Sequence, residues 1–200
     1  MQTTKRIPKG QATIFERTNL EKDCKEYRDV SRRFHKTVPE HKASIMRVEK
    51  IKNDHLSRNY KSKLQYMKDR QKPTREKLLF HGTTPDVVDA ICTHNFDHRV
   101  RGKNGTKYGQ GSYFAVDASF SKSYSNPDEE KTRYMFLAKV LTGEFKSGKQ
   151  SFLRPPLKDP SNPAGDMYDS CVDDENQPKI FVIFSEQQCF PLYLIKYHLQ

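Results

Sequence analysis

The chain has 200 residues, which is enough for one domain with a hydrophobic core and a short flexible segment. Hydrophobic residues make up 34% of it, no apolar run approaches membrane-spanning length, and the polar start MQTTKRIPKGQ lacks the apolar core of a signal peptide. These features argue against a secreted or membrane-bound protein, and we expect an intracellular protein of the nucleus or cytoplasm with no membrane partner.

The net charge of +11 is unevenly distributed. Residues 1–80 carry 22 lysines and arginines against 10 aspartates and glutamates, so the basic charge lies in the first two fifths of the chain. Basic residues interspersed with apolar ones at helical spacing more often form the solvated face of a helix. A basic surface also attracts nucleic acid or acidic protein, so both interpretations stay open.

The four cysteines, Cys24, Cys92, Cys171 and Cys189, are scattered and show no CxxC spacing. This pattern indicates neither a zinc site nor a disulfide framework, and it fits a reducing compartment. We therefore expect no bound metal.

The N-terminal part is predicted to be helical with one strand. Residues 1 to about 12 are predicted to be a disordered lead. Residues 22–34 place apolar side chains on one side of a helix, and residues 43–51 weakly favour a strand. Asn53 is positioned to cap a second helix whose inward residues are Leu56, Tyr60, Leu64 and Met67.

The stretch FHGTTPDVVDAIC raises the question of what a histidine and a glycine do after a strand. Residues 77–80 predict a short buried strand, and Thr84 can cap a following helix with Pro85 in its first turn. His81 and Gly82 are then expected in the corner between strand and helix. In that position a side chain and a bare backbone can both reach a ligand; a structural histidine and a turn glycine are the alternative interpretation.

The pattern after the glycine-containing loop DHRVRGKNGTKYGQG is mainly that of strands. Strands are predicted at residues 112–115, 133–141, 168–172, 179–184 and 192–197. Helices come first and strands dominate later, which predicts an α+β domain with a mostly antiparallel core.

The segment YGQGSYFAVDASFSKSYS holds the second group of candidate site residues. Gly109 and Gly111 bracket a tight approach before Tyr113, which lies on a predicted strand. Asp117 can start a short helix that brings Ser121 and Tyr124 back over that strand. Two tyrosine rings that face each other form a slot for a flat aromatic ring, and a serine hydroxyl at its rim can bind a carboxamide. Core tyrosines and a surface serine are the alternative interpretation.

Together, FHGT, YGQGSYFA and SFSKSYS resemble the catalytic domain of the poly(ADP-ribose) polymerase superfamily, the diphtheria-toxin-like ADP-ribosyltransferases. The resemblance is closest to the mono-ADP-ribosylating branch that includes the TCDD-inducible member and relatives with CCCH zinc fingers or WWE domains. It covers Thr18 to the C-terminus and implies a flexible lead at 1–17 and a catalytic domain at 18–200. The implied fold is an α+β ADP-ribosyltransferase fold with a mostly antiparallel, split β core and flanking N-terminal helices.

The resemblance implies NAD as co-substrate and assigns the nicotinamide side of its site. Gly82 is expected to bind the carboxamide through its backbone, and Ser121 through its hydroxyl. Tyr113 and Tyr124 are expected to sandwich the nicotinamide ring. A side chain at position 82 is expected to obstruct NAD while leaving the fold intact.

On the ribose and adenosine side, the resemblance gives His81 the role of holding a ribose hydroxyl and places Thr83 near the adenosine. Ile180 stands where polymerising members have a catalytic glutamate. Since isoleucine has no acceptor atom, chain elongation should be lost while a first transfer to protein is retained. The expected acceptors are protein side chains, including those of the chain itself.

Two alternatives accompany this interpretation: an inactive binding module of the same fold, and a nucleic-acid-binding domain that uses the basic half. The resemblance also leads us to expect no regulatory helical domain before Thr18 and hence an NAD site that is open without an activating signal.

Overall fold

The computed structural model describes residues 14–97 and 106–200. The helices are α1 (Lys25–His35), α2 (Asp54–Asp69), α3 (Val88–His94) and α4 (Ala118–Ser121), with short 3-10 helices at Pro85–Val87, Lys122–Tyr124 and Glu186–Gln188. The strands are β1 (Glu16–Asn19), β2 (Ala43–Lys52), β3 (Glu76–Thr83), β4 (Ser112–Ala115), β5 (Arg133–Leu141), β6 (Phe145–Ser147), β7 (Ser170–Val172), β8 (Ile180–Ile183) and β9 (Cys189–Leu199).

The strands form one sheet in the order β1-β2-β9-β5-β3-β4-β8-β7-β6. Neighbouring strands are antiparallel except β6 and β7, which run parallel. The α+β class and the mostly antiparallel core are therefore confirmed.

Helix α2 begins where its sequence predicts, whereas α1 begins at Lys25, three residues later than predicted, because Cys24 is its N-cap. Cys24 caps α1 by accepting a hydrogen bond from the Tyr27 amide, and Asn53 caps α2 by accepting one from the Leu56 amide at 3.1 Å. The Asn53 side chain also donates to the Cys92 carbonyl at 2.9 Å, which ties α2 to α3. Each helix turns its apolar face toward the sheet, so capping and burial act together.

The two faces of the sheet bury different helices. Phe136 and Ala138 of β5 pack in one hydrophobic cluster with α3, and Met135 and Leu137 pack in a second with α1 and Ala118 of α4. Successive residues of a strand point to opposite faces, so β5 supplies both clusters.

The sheet narrows sharply between β3 and β4. These strands share a single register pair, Phe80 with Ala115, whereas β3 pairs with β5 along all eight of its residues. One half of the sheet is thus β1-β2-β9-β5-β3 and the other is β4-β8-β7-β6. This narrow joint is the split expected of the core.

His81 and Gly82 lie inside a strand and not in the predicted corner. β3 continues through Thr83, with His81 opposite Phe136 and Gly82 opposite Met135. The prediction ended the strand too early because pairing to β5 holds the polar segment HGT extended. Thr84 does precede a 3-10 helix with Pro85 in its first turn, but its side chain makes no capping hydrogen bond.

Two short strands had no counterpart in the prediction. β6 is three residues long, and β1 is fully exposed and held by pairing with β2. β1 begins at Glu16, so the sheet includes two residues before Thr18. Residues 1–13 of the predicted lead and residues 98–105 of the glycine-containing loop lie outside the described residues.

Candidate active site

His81 faces the second half of the sheet and bridges the split with its ring. Its Nδ1 lies 2.8 Å from the carbonyl oxygen of Tyr113. Because a carbonyl only accepts, Nδ1 carries the hydrogen, and Nε2 of the neutral ring is left as an acceptor. Burial lowers the pKa of His81, opposed by this hydrogen bond, so the ring is neutral at pH 7. The rings of Phe96 and Phe114 pack against it at centroid distances of 5.0 and 5.4 Å.

The Tyr113 hydroxyl is fixed by the loop that precedes β4. It donates to the Gly109 carbonyl at 2.8 Å and accepts from the Tyr108 amide at 2.9 Å. Burial raises the pKa of Tyr113, the Tyr108 hydrogen bond lowers it, and the nearby Tyr124 raises it further. The hydroxyl therefore stays protonated and the ring is held in one orientation.

Gly109 and Gly111 make the close approach that the sequence indicated. Gly109 has a φ of +129°, and a Cβ there would lie 2.7 Å from Cζ of Phe184; a Cβ on Gly111 would lie 2.5 Å from the Ile183 carbonyl oxygen. Because neither glycine has a Cβ, the loop can lie directly against Phe184 and the end of β8.

Gly82 lies against the segment that carries Ser121 and Tyr124. A Cβ at position 82 would lie 1.9 Å from the backbone oxygen of Ser121 and 3.4 Å from the amide nitrogen of Ser125. The expectation that a side chain at position 82 obstructs only NAD is therefore wrong, because any side chain collides first with the backbone of α4. Gly82 is therefore needed for the packing of β3 against α4.

We expect Gly82→Ala to lower both stability and nicotinamide binding. Overpacking against a backbone atom costs about 1–3 kcal/mol and displaces Ser121. Thermal unfolding and binding of benzamide, followed by the shift in melting temperature, measure the two effects. Gly165→Ala is the matched control, since a Cβ there would lie 3.0–3.1 Å from atoms of Asn162 in its own surface turn, a milder contact than the one at position 82. A Gly82→Ala protein that melts and binds like the wild type would contradict the close contact.

Ser121 and Tyr124 come from the short helical segment that follows β4, as predicted. The Ser121 hydroxyl is buried and donates to the Phe80 carbonyl at 3.1 Å. Tyr124 is half-buried on the 3-10 helix, and its ring packs against that of Phe120 at 5.6 Å. Tyr113 and Tyr124, the two rings of the predicted slot, therefore lie on β4 and on this 3-10 helix.

The polar backbone of Gly82 is oriented toward the split. The Val116 amide donates to the Lys179 carbonyl next to β8, so the alternate residue Ala115 directs its backbone groups toward β3, and its partner Phe80 directs its own toward β4. In an antiparallel strand, residues two apart direct their N–H and C=O groups to the same side. Gly82 therefore directs its donor and acceptor past the end of the β3–β4 pairing, where a ligand amide can bind both.

Ile180 lies on the same face of the sheet as Tyr113. Ile180 pairs with Ala115, and Val182 pairs with Tyr113, so the side chains of Tyr113 and Ile180 are two positions apart on one face. Ile180 is 3% exposed, and its amide donates to Oδ1 of Asp173 at 2.9 Å. Asp173 fixes the start of β8 and was not among the predicted site residues.

Thr83 ends β3 and is buried opposite Tyr134. The structure brings His81 to Tyr113 and Gly82 to Ser121, whereas Thr83 pairs with none of the other candidates. The residues that sequence reasoning missed, Tyr108 and Phe96, act through a backbone amide and through packing, neither of which has a local sequence signature.

Within residues 14–97 and 106–200, no three His, Cys, Asp or Glu side chains are grouped to hold a metal ion. No helix in this part of the chain has the length and apolar character needed to cross a membrane.

Comparison with known proteins gives a family match over most of the chain. Residues 24–199 match the family described as "Poly(ADP-ribose) polymerase catalytic domain". The chain is 44% identical over 185 residues to protein mono-ADP-ribosyltransferase PARP12 of Mus musculus, covering 92% of this chain and 25% of that protein. It is 38% identical over 200 residues to protein mono-ADP-ribosyltransferase PARP11 of Homo sapiens, covering 90% of this chain and 58% of that protein. The chain therefore spans about a quarter of the first relative and less than two thirds of the second.

Proposed function

The chain belongs to the poly(ADP-ribose) polymerase catalytic-domain family, and from this premise we infer that it transfers a single ADP-ribose from NAD to protein side chains and releases nicotinamide. The observation that carries this proposal is the juxtaposition at the split in the sheet. There Nε2 of His81 and the backbone groups of Gly82, for which residues 14–97 and 106–200 supply no hydrogen-bond partner, lie on β3 beside β4, which carries the fixed ring of Tyr113.

These groups fit the nicotinamide riboside part of NAD. The carboxamide of the substrate needs one acceptor and one donor, which the Gly82 backbone supplies, and the Ser121 hydroxyl can rotate from Phe80 to give a second donor. Tyr113 and Tyr124 offer flat surfaces for the ring. Nε2 of His81 accepts from a ribose hydroxyl because Nδ1 is already committed to the Tyr113 carbonyl.

The reaction breaks the bond between the ribose C1′ and the nicotinamide nitrogen. The electron pair of that bond neutralises the cationic pyridinium, and C1′ passes through an oxocarbenium-like state before a nucleophile of the acceptor protein bonds to it. The contribution of this chain is to position the riboside and exclude other orientations. Since no carboxylate occupies position 180, the acceptor has to be a good nucleophile on its own.

We expect benzamide or nicotinamide to raise the melting temperature of the protein, and Tyr124→Ala to remove most of that rise. Loss of one stacking wall should weaken binding by about 1–3 kcal/mol. Tyr66→Ala is the control, because Tyr66 is an exposed tyrosine on α2. If neither NAD nor benzamide shifts the wild-type melting temperature at millimolar concentration, the inactive binding module becomes the better interpretation.

Incubation with labelled NAD and a protein extract tests transfer itself. Label on the chain or on other proteins, together with release of nicotinamide, supports the proposed activity. Ligand binding without any transfer would support the inactive module. An intracellular location stays a prediction of the sequence.

A further inference from the structure

Helix α1 carries two parallel rows of side chains beside a surface groove of about 670 Å³. One row is Arg28, Arg32 and Lys36, and the other is Tyr27, Ser31 and His35. Residues four apart on a helix lie on one face, about 6 Å apart along the axis. The groove is therefore lined along its length by a regular series of cations.

These cations are largely available to a ligand. Within the part of the chain that the structure describes, Arg28 and Lys36 form no ion pair, and Arg32 pairs with Asp29 at 3.1 Å on the exposed side of the helix. Glu40 is the acidic residue in the lining. The groove thus has a net positive charge and suits a ligand with repeated negative charges.

A second groove of about 530 Å³ shares Tyr27 with the first. Its lining combines Leu20 and Met46, which is 53% exposed, with two cations, Lys22 and Arg47, and two carboxylates, Glu21 and Asp23. Tyr27, Leu20 and Met46 therefore offer an apolar and aromatic surface next to the α1 cations, in a groove whose own charges balance.

We propose that these two grooves bind single-stranded nucleic acid, with phosphates on Arg28, Arg32 and Lys36 and a base against Tyr27 and Met46. An acidic peptide would use the cations but not the apolar surface between them, whereas a nucleic-acid strand offers regularly spaced phosphates and flat bases together. None of the groove residues belongs to the proposed NAD site, so the two functions are separable.

The test is binding of a fluorescein-labelled oligouridine of about 12 nucleotides, followed by fluorescence anisotropy between about 50 and 200 mM salt. The triple variant Arg28→Gln, Arg32→Gln, Lys36→Gln should bind about tenfold or more weakly. The slope of log K against log salt should fall by about 2 in magnitude, since each single-strand phosphate contact contributes about 0.7.

A second triple variant separates a defined site from general charge attraction. Arg58→Gln, Lys61→Gln and Lys68→Gln remove the same charge from exposed positions of α2 that form no ion pair among the described residues. This control should keep near wild-type affinity, and both variants should keep the benzamide-induced thermal shift. Equal loss in the two triples, or no measurable binding by the wild type, would overturn the proposal.

Competition identifies the class of ligand. Unlabelled oligouridine should displace the probe at a lower concentration than inorganic polyphosphate or polyglutamate of equal charge, because neither polyanion carries bases. Equal competition by polyphosphate or by polyglutamate would overturn binding of nucleic acid as such.

Discussion

Replacing His81 by alanine or asparagine is expected to lower the rate of ADP-ribose transfer by about a hundredfold or more. Both changes remove Nε2, the acceptor that faces the proposed ribose position. Loss of this contact lets the riboside move relative to the tyrosine walls, and displacement of a reacting group by about 1 Å is enough for an effect of this size. Transfer is measured as label from NAD incorporated into protein.

The pair of variants separates catalysis from folding. Asparagine places an amide donor near the position of Nδ1, so His81→Asn should keep the hydrogen bond to the Tyr113 carbonyl and melt close to the wild type. Alanine leaves that carbonyl without its partner and should also destabilise the protein. Wild-type transfer in the His81→Asn variant would remove His81 from the proposed site.

The pH dependence of transfer gives a second readout. Because burial lowers the pKa of His81, the ring stays neutral, and Nε2 stays an acceptor, to a lower pH than for an ordinary histidine. Transfer that depends on His81 should therefore persist as the pH falls through 6.5 and decline only below it.

The second large effect concerns the size of the product. Ile180 is buried beside Ala115 on the face that carries Tyr113, and it presents no acceptor atom to the ribose. A second ADP-ribose would have to attach through a ribose hydroxyl, which needs a carboxylate to polarise it. We expect products with one ADP-ribose per acceptor site, resolved as discrete bands on a gel. Ladders or smears that a poly(ADP-ribose)-cleaving enzyme removes would contradict this.

Restoring a carboxylate with Ile180→Glu should not produce a polymerase. Burial raises the pKa of a carboxyl group, and the Asp173 carboxylate near the start of β8 disfavours a second negative charge. We expect a destabilised protein, by about 1–3 kcal/mol, that still makes single-unit products. Ile180→Leu, which keeps an apolar side chain, should match the wild type in both product size and melting temperature.

The sequence predicted the elements whose local signals agree with their packing. Asn53 both caps α2 and precedes an apolar helical face, and IFVIF is apolar throughout because β8 is covered on both sides. β1 could not be predicted in this way, since none of its residues is buried and pairing with β2 alone defines it.

The candidate site shows the same division between local and tertiary information. Motif resemblance selected His81, Gly82, Tyr113, Ser121 and Tyr124, and the structure brings most of them together. Motif resemblance could not reveal that β3 extends through Gly82, because this depends on pairing with β5. Nor could it reveal that α4 leaves no space for a Cβ at position 82. Both facts arise from segments that are distant in the chain.

The single Phe80–Ala115 pair that joins the halves of the sheet has a consequence for how the domain unfolds. The halves are also joined by the His81–Tyr113 hydrogen bond and by a hydrophobic cluster that includes Leu79, Phe114 and Phe181. Because strand pairing at this line is so limited, we expect β4-β8-β7-β6 to separate from the rest at less than the full unfolding free energy. NAD, bound through Gly82 on one unit and Tyr113 on the other, would bind only when the units are joined. At a hundred times its dissociation constant such a ligand adds about 2.7 kcal/mol to the cost of opening. NAD would then hold the two units together, and the time that the domain stays closed would increase with the concentration of NAD.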